Sequence, residues 1–253
     1  MDIIIILVVA AATLGAGLLG VYVQSRLPDE HKSDAVRGTI GQVAGLVTLL
    51  LALVMGTVIG VSYSFFATQK AELETLSAQL LQLDMALAQY GPETQPVRAK
   101  LKESTQRAYE AIWGGGKADP SLLTVAAPMA TTQALNAFLA TLEPKTDVQK
   151  AALTKAGTYG GLVAQSRILM SLQLAGHPVL WPLLAVLVFW ALALFFAIGL
   201  SSRINAVAVT TLAFGAVSVA FALFLILEFA EPYTGYAKVT PGALREAIEY
   251  MGK

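Results

Sequence analysis

Of 253 residues, 56% are hydrophobic and only 13% are charged, where an ordinary soluble domain has roughly 25% charged residues. The 17 basic and 17 acidic residues cancel, which removes any whole-chain case for nucleic-acid binding, and the absence of cysteine excludes disulfides and thiolate metal sites. The two histidines, His31 and His177, both fall in connecting segments, so a histidine-based metal centre is not expected.

The first predicted element is the apolar run from Ile3 to Val23, long enough to cross a bilayer, which takes about 20 apolar residues as a helix. It opens on Asp2 rather than a basic region and is long for the core of a signal peptide, so it reads as an uncleaved membrane helix. Thr13, Ala16, Gly17 and Gly20 share one face of it. The loop QSRLPDEHKSDAVRGT leads to the second run, Ile40 to Phe66. There Gly38, Gly41, Gln42, Gly45, Ala52, Gly56 and Gly60 fall within a sector of about 100°. Gly41/Gly45 and Gly56/Gly60 have GxxxG spacing, which lets helix backbones approach closely in lipid.

Beyond the second run, Leu73, Leu76, Leu80, Leu83, Leu87 and Tyr90 recur in alternating steps of three and four, an apolar heptad seam. No Pro or Gly separates seam from span, so one helix is expected from about Gly41 to Tyr90, roughly 75 Å long. The YGPE sequence breaks it. A second extramembrane helix is expected from Pro96 to Trp113, ending at GGGKADP. A third begins after Asp119 with Pro120 in its first turn and stops before Glu143 and Pro144. A fourth starts at TDVQ, Thr146 to Gln149, with capping-box spacing, and runs toward Leu174.

The third apolar run, Val179 to Leu200, is bulky on most sides, with Trp181 and Trp190, and suits lipid contact. After the short SSR connection comes the fourth, Ile204 to Phe229, with Ala208, Thr211, Gly215, Ser218 and Ala222 on one small face. An extended stretch and a short helix within TPGALREAIEYM close the chain. Arg26, Lys32, Arg37 and Arg203 crowd the two short loops. Basic residues at span ends favour the cytoplasm, which places loops 24–39 and 201–203 inside and residues 67–178 and the C-terminus outside.

No Walker loop, GxSxG, HExxH or paired Cys/His spacing is present, and GGGK at Gly114 follows a helix rather than a strand, so it reads as a linker. Glu72, Glu74 and Asp84 lie on the heptad helix and are expected on its solvated face. No charged residue or histidine interrupts the runs before Glu228, and Gln42 and Asn205 are their most polar side chains. An ion-coupled transporter would place ionisable groups at membrane depth, so coupled transport is not expected. The small faces pack neighbouring helices, line a narrow conduit, or do both; the second span is the natural conduit wall in an oligomer. Glu228 and Glu231 fall at least about 100° from the Thr211–Gly215–Ser218–Ala222 face, so they are expected to mark the membrane exit, with Pro232 stopping the helix and Gly235 turning the chain.

Two segments carry a resemblance: LAQYGPETQPVRAKLKE, with Tyr90, Gly91, Pro92, Glu93 and Arg98, and EFAEPYTGYAKVTPGALREAI, with Glu231, Pro232, Tyr233 and Gly235. With the two-hairpin layout they resemble the bestrophin-like family of bacterial membrane proteins over nearly the whole chain. The resemblance implies an inner-membrane location and, by analogy with bestrophins proper, a pentameric anion channel whose pore is lined by the second membrane helix.

The expectation is therefore an all-α integral membrane protein with four transmembrane helices in two hairpins (1–66 and 179–229), a helical extramembrane domain (67–178) and a tail (230–253). It assembles as a homo-oligomer, a requirement read from the heptad seam and the small faces. Its partners are the bilayer, copies of itself and inorganic ions. Neither a cofactor nor enzymatic chemistry is expected. The alternative is a non-conducting envelope scaffold or sensor whose helical domain binds a protein.

Overall fold

Long runs of Leu, Val, Ile and Ala without a breaker leave the backbone no partner in lipid but itself, and a helix satisfies each N–H and C=O within the segment. The computed structural model describes residues 2–28, 33–114, 126–176, 181–202 and 205–253. Among these it holds eight α-helices and no strand: α1 (Asp2–Arg26), α2 (Asp34–Tyr90), α3 (Gln95–Trp113), α4 (Ala126–Leu139), α5 (Asp147–Ala175), α6 (Trp181–Ser201), α7 (Ala206–Ala230) and α8 (Gly242–Tyr250). Four of them, α1, α2, α6 and α7, are long and apolar enough to cross a bilayer. α2 is one uninterrupted helix that begins at Asp34, ahead of the expected Gly41.

The chain forms two compact units, Met1–Ser64 with Pro178–Ala230, and Phe65–His177 with Glu231–Lys253. The C-terminal tail therefore belongs with the helical unit instead of standing apart from it.

In the apolar unit, α1 lies along α6 and also packs on α7. The α1–α6 contact is a close backbone approach. A Cβ at Gly20 would run into the carbonyl oxygen of Phe196, and one at Gly199 into that of Gly17. Thr13 is fully buried, and its hydroxyl donates to the Val9 carbonyl at 2.7 Å, so it brings no unpaired donor into the core. The bulk of α6 divides, one side exposed as its composition led one to expect and the other packed inside the unit. Leu184, Leu187, Ala191, Leu194 and Phe195 are buried, while Trp181, Val186 and Phe189 remain exposed. The small residues Ala191 and Gly199 give this otherwise bulky helix a face that neighbours can approach. α7 turns Leu212, Ala216, Ala220, Leu223 and Ile226 inward, and α2 contributes Leu51 and Met55 to the same core. Asn205 caps α7: its Oδ1 accepts from the Ala208 N–H at 2.6 Å.

In the helical unit, Leu73, Leu76, Leu80, Leu83 and Leu87 of the heptad seam are buried in a core shared with α3, α5 and α8. The seam is satisfied inside one chain, so it does not call for a second copy. α2 stops where Gly91 takes φ +134°, a conformation that L side chains rarely adopt. The Thr94 hydroxyl then closes the turn on the Leu87 and Gly91 carbonyls. At the start of α5 the Thr146 hydroxyl accepts from the Gln149 N–H at 3.2 Å. The Gln149 side chain accepts from Lys145 N–H at 2.8 Å, one residue earlier than in a capping box. The expected third-helix start at Asp119–Pro120 and the linker beyond Gly114 lie outside the described residues, as do His31 and His177.

Gly20→Ala and Gly199→Ala should each destabilise the protein by about 1–3 kcal/mol, the usual cost of overpacking. Gly15, with open space where a Cβ would sit, is the control, and Gly15→Ala should be neutral or mildly stabilising. Thermal unfolding in detergent checks this, and three equal effects would contradict a close α1–α6 approach.

Candidate functional site

The small face of α2 is set by sequence period, and the fold leaves it uncovered. The inward side of α2 in the apolar unit is Ala44, Val47, Leu51, Val54, Met55, Val58 and Ile59. Gly38, Gly41, Gln42, Gly45, Ala52, Gly56 and Gly60 lie on the other side and are all exposed. No atom comes within 4 Å of where a Cβ would stand on any of those five glycines. The apolar stretch of α2 is less buried than those of α1, α6 and α7. Leu49, 71% exposed, and Tyr63 fall in the same sector, and sequence reasoning passed over both because it sought only small residues. Thr48 and Thr57, also exposed, return their hydroxyls to the Ala44 and Leu53 carbonyls. Apart from Leu49 and Tyr63, the face is therefore nearly featureless: backbone, methyl groups and one amide.

The other small faces divide. On α1, Thr13, Gly17 and Gly20 pack within the chain, Gly17 against Leu212. On α7, Gly215 faces the Phe195 ring and Ala222 is partly buried, but Thr211 and Ser218 are exposed, each hydroxyl bonded to its own helix. The inward face of α7 is thus displaced by one residue from the expected one, to Leu212, Ala216 and Ala220, a rotation of about 100°.

The acidic pair divides as well. Glu228 is not where the chain meets water: it is buried near the end of α7, 3% exposed. Glu231 is exposed, and its carboxylate accepts from the Thr234 hydroxyl at 2.8 Å. Pro232 does stop the helix, but Gly235 turns with its N–H on the Glu231 carbonyl and without positive φ. The EPYTG segment is mainly an anchor for the tail. Tyr233 is buried with its ring edge-on to Trp113, whose indole N–H donates to the Val239 carbonyl at 2.9 Å. Burial, and then the nearby Glu72, push the Tyr233 phenol well above its ordinary pKa, so it stays neutral.

The helical unit also overturns the expected solvated acids. Glu74 is exposed, but Glu72 accepts from Gln173, which in turn accepts from the buried Gln69. Asp84 is 2% exposed and grips Arg98 in a two-pronged pair at 2.9 and 2.8 Å. The N–H of Gly252 adds a third bond at 3.0 Å. Hydrogen bonding to Asp84 raises the Arg98 pKa against the opposing effect of burial. A heptad wheel shows none of this, because the partner sits beyond the Gly91 turn.

The family model described as Bestrophin-like domain matches residues 11–244. No curated protein and no solved structure matches the chain.

Removing either charge of the Asp84–Arg98 pair leaves the other buried and unpaired, so Asp84→Leu and Arg98→Met should each cost about 3–5 kcal/mol. The double variant Asp84→Leu with Arg98→Met should recover much of that loss. Denaturant unfolding of the four proteins gives the coupling energy, and strictly additive losses would contradict the pairing.

Proposed function

Since the chain belongs to the bestrophin-like family, we propose that this multi-pass membrane protein assembles from several copies into a passive ion channel, with the α2 glycine face lining the conduit. The single observation that carries this reading is the uncovered face itself. Lipid gives a helix no reason to expose glycine, whereas close helix packing or a narrow aqueous passage does. Apart from Leu49 and Tyr63 its residues present backbone and small groups, which suits passage without tight binding. Anion selectivity and five-fold assembly rest on the family resemblance. The orientation proposed is the one that the basic short loops favour, with residues 24–39 and 201–203 in the cytoplasm of a bacterial cell and the helical unit outside.

The test is chloride flux from liposomes carrying the purified protein. Gly45→Trp and Gly56→Trp should reduce flux at least tenfold while oligomers of native size persist. Lost oligomers would show that the face only packs helices, the arrangement expected of a non-conducting scaffold. Native oligomers that never conduct would overturn the channel itself.

A further inference from the structure

In the helical unit a half-open cavity of about 450 Å³ is bounded by α2, α3, α4 and α5. Small-molecule sites run from about 300 to 1,000 Å³. Most of the wall is apolar, with Leu83, Val97, Leu101, Leu135, Phe138 and Val163. Two cations also line it, Arg167 from α5 and Lys100 from α3, and no carboxylate does.

Arg167 stands in contrast to Arg98, the other inward guanidinium of this unit. Arg98 is held by both oxygens of Asp84. No ion pair or side-chain hydrogen bond joins the Arg167 guanidinium to any described residue. Removal from water pushes its pKa down with no counter-charge opposing the shift. Arg167 also lines a second, smaller cavity of about 80 Å³ bounded by Leu73, Trp113 and Tyr233. Arg167 therefore borders both cavities and lacks the anion that its counterpart has.

We propose that the helical unit binds a fatty-acid anion, with the acyl chain in the apolar cavity between α2, α3, α4 and α5 and the carboxylate on Arg167. The planar guanidinium fork matches a carboxylate in two bonds, as Asp84 and Arg98 already show within this unit. Hydrocarbon walls reject a hydrated inorganic anion, which would have to shed its water against Leu and Phe. Lys100, exposed and also lining the cavity, adds attraction for the same sign of charge.

The test uses the full chain in a neutral maltoside detergent and a fluorescent polyene fatty acid as probe, competed with decanoate, methyl decanoate and a single-chain lysophosphatidate. Saturable binding near one probe per chain is expected, with decanoate competing about tenfold or more better than its methyl ester. Arg167→Gln should weaken the acid about tenfold and leave the ester unchanged, with Arg167→Lys between. Ser104→Phe, which grows a ring into the cavity, should weaken acid and ester alike. Helical melting shows whether each variant folds; if one does not, the acid-against-ester comparison on the native chain decides. Equal competition by acid and ester overturns the proposal. So does unaltered acid binding in folded Arg167→Gln or Ser104→Phe. Tighter binding of the lysophosphatidate than of decanoate overturns the carboxylate assignment.

Discussion

Lipid is as apolar as leucine, so hydrophobic burial cannot hold spanning helices together, and close backbone approach takes over that task. In this chain the approach is made at Gly20 and Gly199, where α1 and α6 come too near for an added Cβ, while Gly17 packs on Leu212 of α7. α7 closes over the same core with Leu212 and Ala216. These three helices use their small residues on one another. α2 does not: it offers the core its Leu, Val and Met side and keeps its glycines outside. The division follows from where the small residues lie in each helix, and it leaves the least bulky surface of the apolar unit without an occupant.

The helical unit follows the other solvent's rules. Its seam of leucines is buried as any amphipathic face is buried in water, and its buried charges are allowed because they are paired. Asp84 and Arg98 join α2 to α3, and the Gly252 N–H and the Lys102 bond to the Met251 carbonyl fasten the C-terminus to the same place. The tail is fixed at its other end by Tyr233 against Trp113. Among the described residues, Arg167 is an inward-lying cation that this scheme leaves without a carboxylate, which is why the cavity beside it invites an anion.

Length and apolar character made the four spans legible, and the 3.6-residue period made the α2 face legible, because both are local properties of the chain. Gly91 and Thr146 were legible for the same reason, as breaker and cap. The heptad seam was visible too, but periodicity does not say whether its partner is another chain or another helix of the same one. Asp84 was misplaced because its partner lies across a turn, and a wheel of one helix contains no information about the next. Glu228 was misplaced because a wheel of α7 puts it on neither the small face nor the line of Leu212, Ala216 and Ala220, and only the fold around the end of the helix buries it. The close contact of α6 was missed because Gly199 was hidden among bulky neighbours.

The central claim is that the α2 face meets water rather than lipid or a second helix. The chain has no cysteine, so single cysteines at Gly45 and Gly56 can be probed without background. The most direct measurement is their reaction, in conducting liposomes, with a charged, membrane-impermeant thiol reagent while chloride current is recorded. The account predicts that both positions react and that the current falls as they do. Reaction with a lipid-soluble maleimide alone, with the current unaffected, would contradict it.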